Sequence, residues 1–177
     1  MLTIRRATNL DRDDVSDVHL SAFPDGEREI VSELAINLLF EKTTPETISL
    51  VAEKEGAVVG HVAYSPVRID NNENLQAYIL APLGVKPEYQ KRGIGSRLIE
   101  SGMQQLLEKG VNILFVYGDP EYYRKFGFSA DVADRYTPPY KLQYPFGWQA
   151  KALNEFTAEK TSNKIACVTS LSDPELW

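Results

Sequence analysis

The chain has 177 residues, of which 43% are hydrophobic and 25% charged, and its formal net charge is −6 at pH 7. This composition is that of a globular protein and excludes the disordered and fibrous classes. The length lies within the usual range of one domain, so we expect residues 1–177 to form a single domain. Nucleic-acid binders normally carry net positive charge, so the acidic balance argues against DNA or RNA as a partner.

The counts of cysteine and histidine narrow the chemistry further. Cys167 is the one cysteine, which rules out an intramolecular disulfide. Neither of the two histidines, His19 and His61, has a Cys or a further His at ligand spacing, so no metal is expected. The N-terminus is unlike a signal peptide, and no stretch reaches the roughly 18 apolar residues of a membrane span. We therefore expect a cytoplasmic protein without a membrane partner.

Hydrophobic periodicity predicts strands and helices that alternate along the chain. His19 falls on the apolar face of the first helix and is interpreted as a packed histidine, with Asn9 or Asp11 as the N-cap. Alternation of this kind indicates an α/β protein with a mixed sheet and helices on both faces. The expected strands cover residues 2–7, 48–52, 57–69, 75–85, 113–117 and 148–153, and the expected helices cover 11–23, 27–42, 95–109 and 120–126.

The segment between the fourth expected strand and the third helix has the features of an anion-binding loop. Backbone N–H groups in the first turn of a helix have no intrahelical partner and lie at the positive end of the helix dipole. Gly93 and Gly95 let the backbone approach a ligand closely. Lys91, Arg92 and Arg97 add positive charge in an acidic chain. Together these features predict a ligand that bears a phosphate.

Two well-known phosphate-binding motifs do not match this loop. The sequence G-x-x-x-x-G-K-[ST] is missing, which excludes a P-loop. A dinucleotide-binding fingerprint would place its glycines directly after the strand and add a third small residue. Here seven residues separate Val85 from Gly93, and Leu98 occupies the third position.

Two segments carry a resemblance to a known family. Residues 90–95 (QKRGIG) resemble the [QR]-x-x-G-x-[GA] pyrophosphate loop of the GNAT superfamily of acetyltransferases. Residues 122–128 (YYRKFGF) resemble a later motif of that family, Y-x-x-x-G-F, and Tyr123 lies 33 residues after Gln90. The two motifs occur in the expected order on the expected elements. The resemblance covers residues 2 to about 130 and is closest to a subgroup of small bacterial GNAT proteins.

This resemblance implies a GNAT-like α/β fold, a mixed central β-sheet with helices on both faces, that uses acetyl-CoA as co-substrate and an amine as acceptor. It implies that Tyr123 is the general acid for the leaving thiolate, since that thiolate needs a proton. Packing of Tyr122 and Tyr123 around the cofactor is the alternative. The residues that the resemblance places at acetyl-CoA are Leu83, Val85, Gln90, Lys91, Arg92, Gly93, Ile94, Gly95 and Ser96.

The general base and the acceptor stay open at this point. Many relatives use a glutamate on the strand before the loop, but residues 78–83 contain no carboxylate. Glu27, Glu29 and Glu33 near the start of the second helix are candidates, as are a bound water and an amine that arrives neutral. The missing carboxylate favours an alternative function, a non-catalytic sensor domain that binds acyl-CoA. The resemblance also makes a homodimer one option.

Residues 131–177 have no assigned role. Their aromatic residues are interpreted as core packing around the last strand, in preference to an acceptor pocket or a dimer contact. These residues are Tyr136, Tyr140, Tyr144, Phe146 and Trp148.

Overall fold

The computed structural model describes residues 1–157 and 162–177. Its strands are β1 (Leu2–Arg6), β2 (Ile48–Lys54), β3 (Ala57–Ile69), β4 (Ala77–Val85), β5 (Ile113–Tyr117), β6 (Tyr136–Thr137), β7 (Trp148–Ala152) and β8 (Asn163–Cys167). Its α-helices are α1 (Arg12–Ala22), α2 (Arg28–Phe40), α3 (Ile94–Glu108), α4 (Pro120–Tyr123) and α5 (Ala130–Ala133). Short 3-10 turns lie between these strands and helices and near the C-terminus.

In the described part of the chain, eight strands belong to one sheet. The main path runs β1-β2-β3-β4-β5-β7, and β8 pairs with both β3 and β6. The pairs β1–β2, β2–β3, β3–β8 and β5–β7 are antiparallel, whereas β4–β5 and β6–β8 are parallel. The predicted α/β class with a mixed sheet is therefore confirmed.

The chain divides into two compact units. The first comprises Met1–Tyr64 with Ala81–Gly102, and the second comprises Ser65–Leu80 with Met103–Trp177. In the first unit α1 packs against α2, and the hydroxyls of Ser16 and Ser32 join the two helices at 2.9 Å. Apolar side chains of α1, α2, β2 and β3 form a buried cluster of Val15, Val18, Ala35, Val51 and Val58.

The second unit is built around stacked aromatic rings. Phe115 on β5 and Trp148 on β7 have ring centroids 5.0 Å apart and nearly parallel planes, and Tyr136 meets Phe115 edge-on at 5.3 Å. The indole N–H of Trp148 donates to the Tyr136 carbonyl oxygen at 2.9 Å. Buried Tyr136 and Trp148 therefore confirm the prediction of core packing for these two residues.

The bounds of the longer elements agree with the sequence predictions, but three short elements were missed. α5 has four residues and β6 has two, which is too short for a periodic pattern. β8 begins with two polar residues, Asn163 and Lys164, inside what was interpreted as a polar tail. β6 and β8 depend on pairing with each other, and β8 also pairs with β3, so local sequence is a poor guide to them.

Of the two predicted N-cap residues of α1, Asn9 and Asp11, it is Asp11 that occupies the N-cap position. Asp11 precedes this helix, but its carboxylate makes no capping hydrogen bond to it. Instead Asp11 accepts hydrogen bonds from the Thr8 N–H at 2.7 Å and from both guanidinium ends of Arg5 at 2.9 Å. Thr8 in turn caps the 3-10 turn Asn9–Asp11 through its hydroxyl. The carboxylate thus fastens β1 to the start of the helical segment.

Candidate active site

The loop between β4 and α3 is shaped by its backbone and by one glutamine. A 3-10 turn covers Pro87–Tyr89, and the Gln90 side-chain amide then donates to the Val85 carbonyl oxygen at 2.9 Å. Lys91 and Gly93 follow with positive φ angles of 62° and 80°. Such a left-handed conformation is uncommon for a lysine. Gln90 thus fastens the loop to the strand end, and the two left-handed residues turn the chain into α3.

Backbone N–H groups of this loop point to no acceptor within the described residues. Among the described residues, no backbone carbonyl accepts a hydrogen bond from the N–H groups of residues 91–96. The next N–H group, that of Arg97, donates to the Gly93 carbonyl oxygen at 3.1 Å. Successive free N–H groups next to a left-handed residue form a concave anion site, and the helix dipole adds to its positive potential. Gly95 and Ser96 are half-buried at the start of α3.

Cationic side chains surround the same loop. The Tyr89 ring centroid lies 5.7 Å from Cζ of Arg92 and 6.0 Å from Nζ of Lys54. Lys91 and Arg92 are both exposed. Ile94 differs from these neighbours because its side chain is buried, so its backbone N–H is the group that it offers to a ligand. The loop therefore concentrates positive charge in a chain whose net charge is −6.

The last residues of β4 lie outside the pairing with β5. The parallel register joins Ala77–Leu80 to residues 113–116 and covers no later residue of β4. Pro82 follows, and it has no N–H to offer to a neighbouring strand. Leu83 and Val85, the residues predicted to bind the pantetheine arm, are half-buried. Their backbone groups lie in the part of β4 that the register with β5 does not cover.

A buried polar chain lies beneath this strand, and the sequence did not reveal it. Nε2 of His19 on α1 is 2.8 Å from Nδ1 of His61 on β3, and Nε2 of His61 is 2.7 Å from the Ser49 hydroxyl on β2. Both rings are fully buried. Burial lowers the pKa of His19 to about 3 and lowers that of His61 well below its usual value, so both imidazoles are neutral at pH 7.

His19 also explains why residue 84 is a glycine. A Cβ at Gly84 would lie 2.7 Å from Nδ1 of His19 and 2.9 Å from its Cε1. Nδ1 of His19 has no hydrogen-bond partner among the described residues. The expectation of a packed histidine is therefore right about burial, but it missed the hydrogen-bonded partners. These partners, His61 and Ser49, lie on two strands far from α1 in the chain, so no local pattern could have indicated them.

Tyr123 is held by a capped turn and by close ring contacts. The Asp119 carboxylate caps α4 by accepting from the Glu121 N–H at 3.0 Å. The Tyr123 ring meets the rings of Tyr122 and Phe128 edge-on, at centroid distances of 5.1 and 5.7 Å. Burial, followed by the charges of Tyr122 and Asp119, raises the pKa of Tyr123 above its usual value. Its hydroxyl is therefore protonated at neutral pH.

The three candidate glutamates are solvent-exposed. Glu27 precedes α2, and Glu29 and Glu33 lie within it. Glu29 is paired with Arg28 through an Nε–Oε1 contact of 3.1 Å. Its own backbone N–H and Arg28 lower its pKa, which weakens it as a proton acceptor.

The aromatic residues between β6 and β7 do not all join the core. Tyr140 is half-buried, but Tyr144 and Phe146 are 52% and 68% exposed. The prediction of core packing is therefore wrong for these two residues. Pro145 and Gly147 lie in a 3-10 turn that directs the chain along the surface before β7 begins.

The described residues contain neither a cluster of metal ligands nor a membrane-spanning helix. Residues 1–157 and 162–177 contain no group of three or more His, Cys, Asp or Glu side chains arranged to hold a metal ion. Within the same ranges, every helix is too short or too polar to cross a lipid bilayer.

Comparison with known proteins identifies the family. Residues 3–130 match the model of the acetyltransferase (GNAT) domain. The chain belongs to the GNAT family of acetyltransferases, which confirms the resemblance seen in the two sequence motifs.

Individual relatives agree with this assignment. The chain is 32% identical over 147 residues to the uncharacterized N-acetyltransferase YjhQ of Escherichia coli K12, covering 81% of this chain and 80% of YjhQ. A GNAT acetyltransferase of Brucella melitensis, solved with acetyl-CoA, is 30% identical with a TM-score of 0.70, over 97% of this chain and 99% of that one. YhbS of E. coli, solved with CoA, has the same fold with a TM-score of 0.82 at 24% identity, over 97% and 92% of the two chains.

Proposed function

We propose that this acetyltransferase moves the acetyl group of acetyl-CoA to a primary amine of a small molecule or peptide, by direct attack of the amine on the thioester. Acetyl-CoA is the co-substrate. The observation that carries this proposal is the row of free backbone N–H groups at residues 91–96, which opens the first turn of α3 beside exposed cations.

Binding of acetyl-CoA uses two neighbouring parts of the first unit. The N–H groups from Lys91 to Ser96 hold the pyrophosphate, with Lys91 and Arg92 supplying positive charge. Backbone groups of Leu83 and Val85 pair with the amides of the pantetheine arm, because this end of β4 lies outside the register with β5. Gln90 keeps the loop attached to the strand through its bond to Val85.

The chemical step forms one bond and breaks one. The neutral amine nitrogen attacks the thioester carbon, the carbonyl oxygen becomes an oxyanion, and the C–S bond then breaks to release the thiolate. A backbone N–H on the strand segment with Leu83 stabilises the oxyanion. Tyr123 donates a hydrogen bond or a proton to the sulfur, because a thiolate leaves more easily when an acid is positioned beside it.

The proton released by the amine needs an acceptor outside the strand, since residues 78–83 have no carboxylate. Exposed Glu27 and Glu33, or water, accept this proton. Glu29 is the poorest proton acceptor of the three glutamates because its carboxylate is paired with Arg28. An amine that arrives already neutral requires no base beyond solvent.

The decisive experiment follows thiol release from acetyl-CoA in the presence of a panel of primary amines, with the products identified by mass. We expect amine-dependent thiol release and an N-acetyl product, above a control without amine. Tight binding of acetyl-CoA without any acetylated product would instead favour a non-catalytic acyl-CoA sensor. Loss of both binding and product would contradict the loop site itself.

A further inference from the structure

Two exposed aromatic rings lie side by side in the second unit, and nothing in the proposed chemistry uses them yet. The rings of Tyr144 and Phe146 have centroids 5.9 Å apart, with planes tilted by 57°. Their exposed fractions, 52% and 68%, contrast with those of Tyr136 and Trp148, which are below 10%. A ligand that covers a pair of exposed rings removes apolar surface from water, which makes its binding free energy more favourable.

The turn that carries these rings is anchored to the end of β5. The Tyr144 N–H donates to the Tyr117 hydroxyl oxygen at 2.8 Å, and the Gly118 N–H donates to the Gly147 carbonyl oxygen at 3.0 Å. A Cβ at Gly147 would lie only 3.0 Å from the Gly118 carbonyl oxygen, so this close approach requires a glycine. The aromatic pair therefore has a fixed position relative to Gly118.

Gly118 is also the residue against which Tyr123 packs. A Cβ at Gly118 would lie 2.6 Å from Cε2 of the Tyr123 ring. One backbone position thus contacts both the proposed general acid and the turn that carries the aromatic pair. The residue after Gly118 is Asp119, which is exposed and negatively charged. The exposed Lys125, which follows α4, lies 5.0 Å from the Tyr122 ring.

We propose that the Tyr144–Phe146 pair binds the acceptor, and that it selects primary amines attached to an aromatic or extended apolar group. This inference rests on the proposed function and names the substrate class of the same site. Aromatic faces attract an ammonium group and also bury apolar surface, and the Asp119 carboxylate complements the positive charge of an amine. Small polar amines carry the same charge but leave the rings uncovered, so they lack the apolar contribution.

A second copy of the chain is a poorer occupant for this surface. A stable interface buries about 800 Å² on each partner, which is far more than two side chains supply. The neighbouring residues Lys141, Gln143 and Pro145 are exposed, and two of these three are polar, so the aromatic surface does not extend further in that direction.

The test compares kcat/KM for phenethylamine with kcat/KM for ethanolamine, in the wild-type protein and in Phe146→Ala and Tyr144→Ala. We expect the preference for phenethylamine to fall about three- to tenfold in each variant, the range that one aromatic contact provides. The affinity for acetyl-CoA, measured by calorimetry, should stay unchanged. Phe40→Ala removes another exposed aromatic ring, at the end of α2, and should leave the preference as it is.

Each other outcome overturns the inference in a recognisable way. An unchanged preference with normal turnover would remove the aromatic pair from acceptor binding while the acetyltransferase function stands. A change from dimer to monomer in Phe146→Ala, without a change in preference, would make the pair a subunit contact. If no amine is acetylated, saturation-transfer NMR with phenethylamine and CoA decides: absence of ring contacts that depend on Phe146 would reject the acceptor surface.

Discussion

The Tyr123 ring and the Gly118 backbone are in direct contact, and a methyl group at residue 118 would lie 2.6 Å from Cε2 of the ring. Gly118→Ala should therefore displace the ring, at a cost of about 1–3 kcal/mol in the free energy of unfolding. Turnover should fall while the affinity for CoA stays close to normal.

The same substitution in a Tyr123→Phe background provides the control. If Gly118→Ala acts by moving the Tyr123 hydroxyl, it should have little further effect on turnover once that hydroxyl is gone. Equal losses in both backgrounds would show that the alanine acts by another route. Steady-state rates on one amine suffice for this comparison.

Tyr123→Phe tests the general acid directly. The variant keeps the ring and its edge-on contact with Phe128, so folding and cofactor binding should survive. Turnover should fall by about 10²- to 10⁴-fold, the usual range for a positioned proton donor. Since burial raises the pKa of Tyr123 above its usual value of 10, the tyrosine should cause no loss of activity below pH 10.

Tyr122→Phe is the matched control for that experiment. The Tyr122 ring lies under the Lys125 ammonium group, whose Nζ is 5.0 Å from the ring centroid. We expect near-normal turnover in this variant. Full activity in both single variants would exclude tyrosine as the acid and leave the motif as packing around the cofactor.

Gly95→Asp tests the anion site. Its side chain and negative charge enter the first turn of α3, where free N–H groups are proposed to hold the pyrophosphate, so the affinity for CoA should fall sharply. Gln104→Asp adds the same charge at an exposed position of the same helix and should change the affinity little. Calorimetry on both variants, after circular dichroism confirms folding, gives the answer; equal affinities would remove Gly95 from the site.

The histidine chain should make stability depend on pH. The pKa of His19 is about 3 in the folded protein and near 6.5 in the unfolded chain, so between these values the unfolded chain binds more protons. Stability contributed by the neutral ring is complete above about pH 6.5 and is lost as the pH falls, by about 1.4 kcal/mol per pH unit. His61, whose pKa is also lowered, adds to the same slope.

Urea unfolding at pH values from 5 to 7.5 measures this slope. His19→Gln keeps a hydrogen-bonding group near Nε2 but does not titrate, so the slope should become shallower. An identical pH dependence in the wild type and in His19→Gln would show that the buried ring is not the titrating group. Leu38→Ala, a buried substitution in α2, controls for general loss of stability because it should shift the curve without changing its slope.

The parts of the site that the sequence predicted are those in which a local pattern is sufficient. The loop at residues 90–96 and the motif around Tyr123 are contiguous, and glycine, charge and a turn signal occur within a few positions. The structure contains both segments as a turn into a helix. Their roles in catalysis stay predictions.

The features that were missed depend on residues far apart in the chain. Ser49, His61 and His19 meet only because β2, β3 and α1 pack together, and each residue alone resembles an ordinary buried side chain. The exposure of Tyr144 and Phe146 was also missed, since composition alone gives no reason for a ring to stay outside a core. A short strand such as β6 likewise depends on its partner β8.

Lys91 adopts a left-handed φ of 62°, a conformation that glycine adopts more readily than lysine. A non-glycine residue in that conformation costs about 1–2 kcal/mol, so the structure around the loop has to hold Lys91 there. Association should therefore be a single kinetic step, with an observed rate that rises linearly with CoA concentration and shows no plateau from a slow loop rearrangement. Stopped-flow mixing measures this directly, and Lys91→Gly, which widens the range of loop conformations, should slow association more than it speeds dissociation.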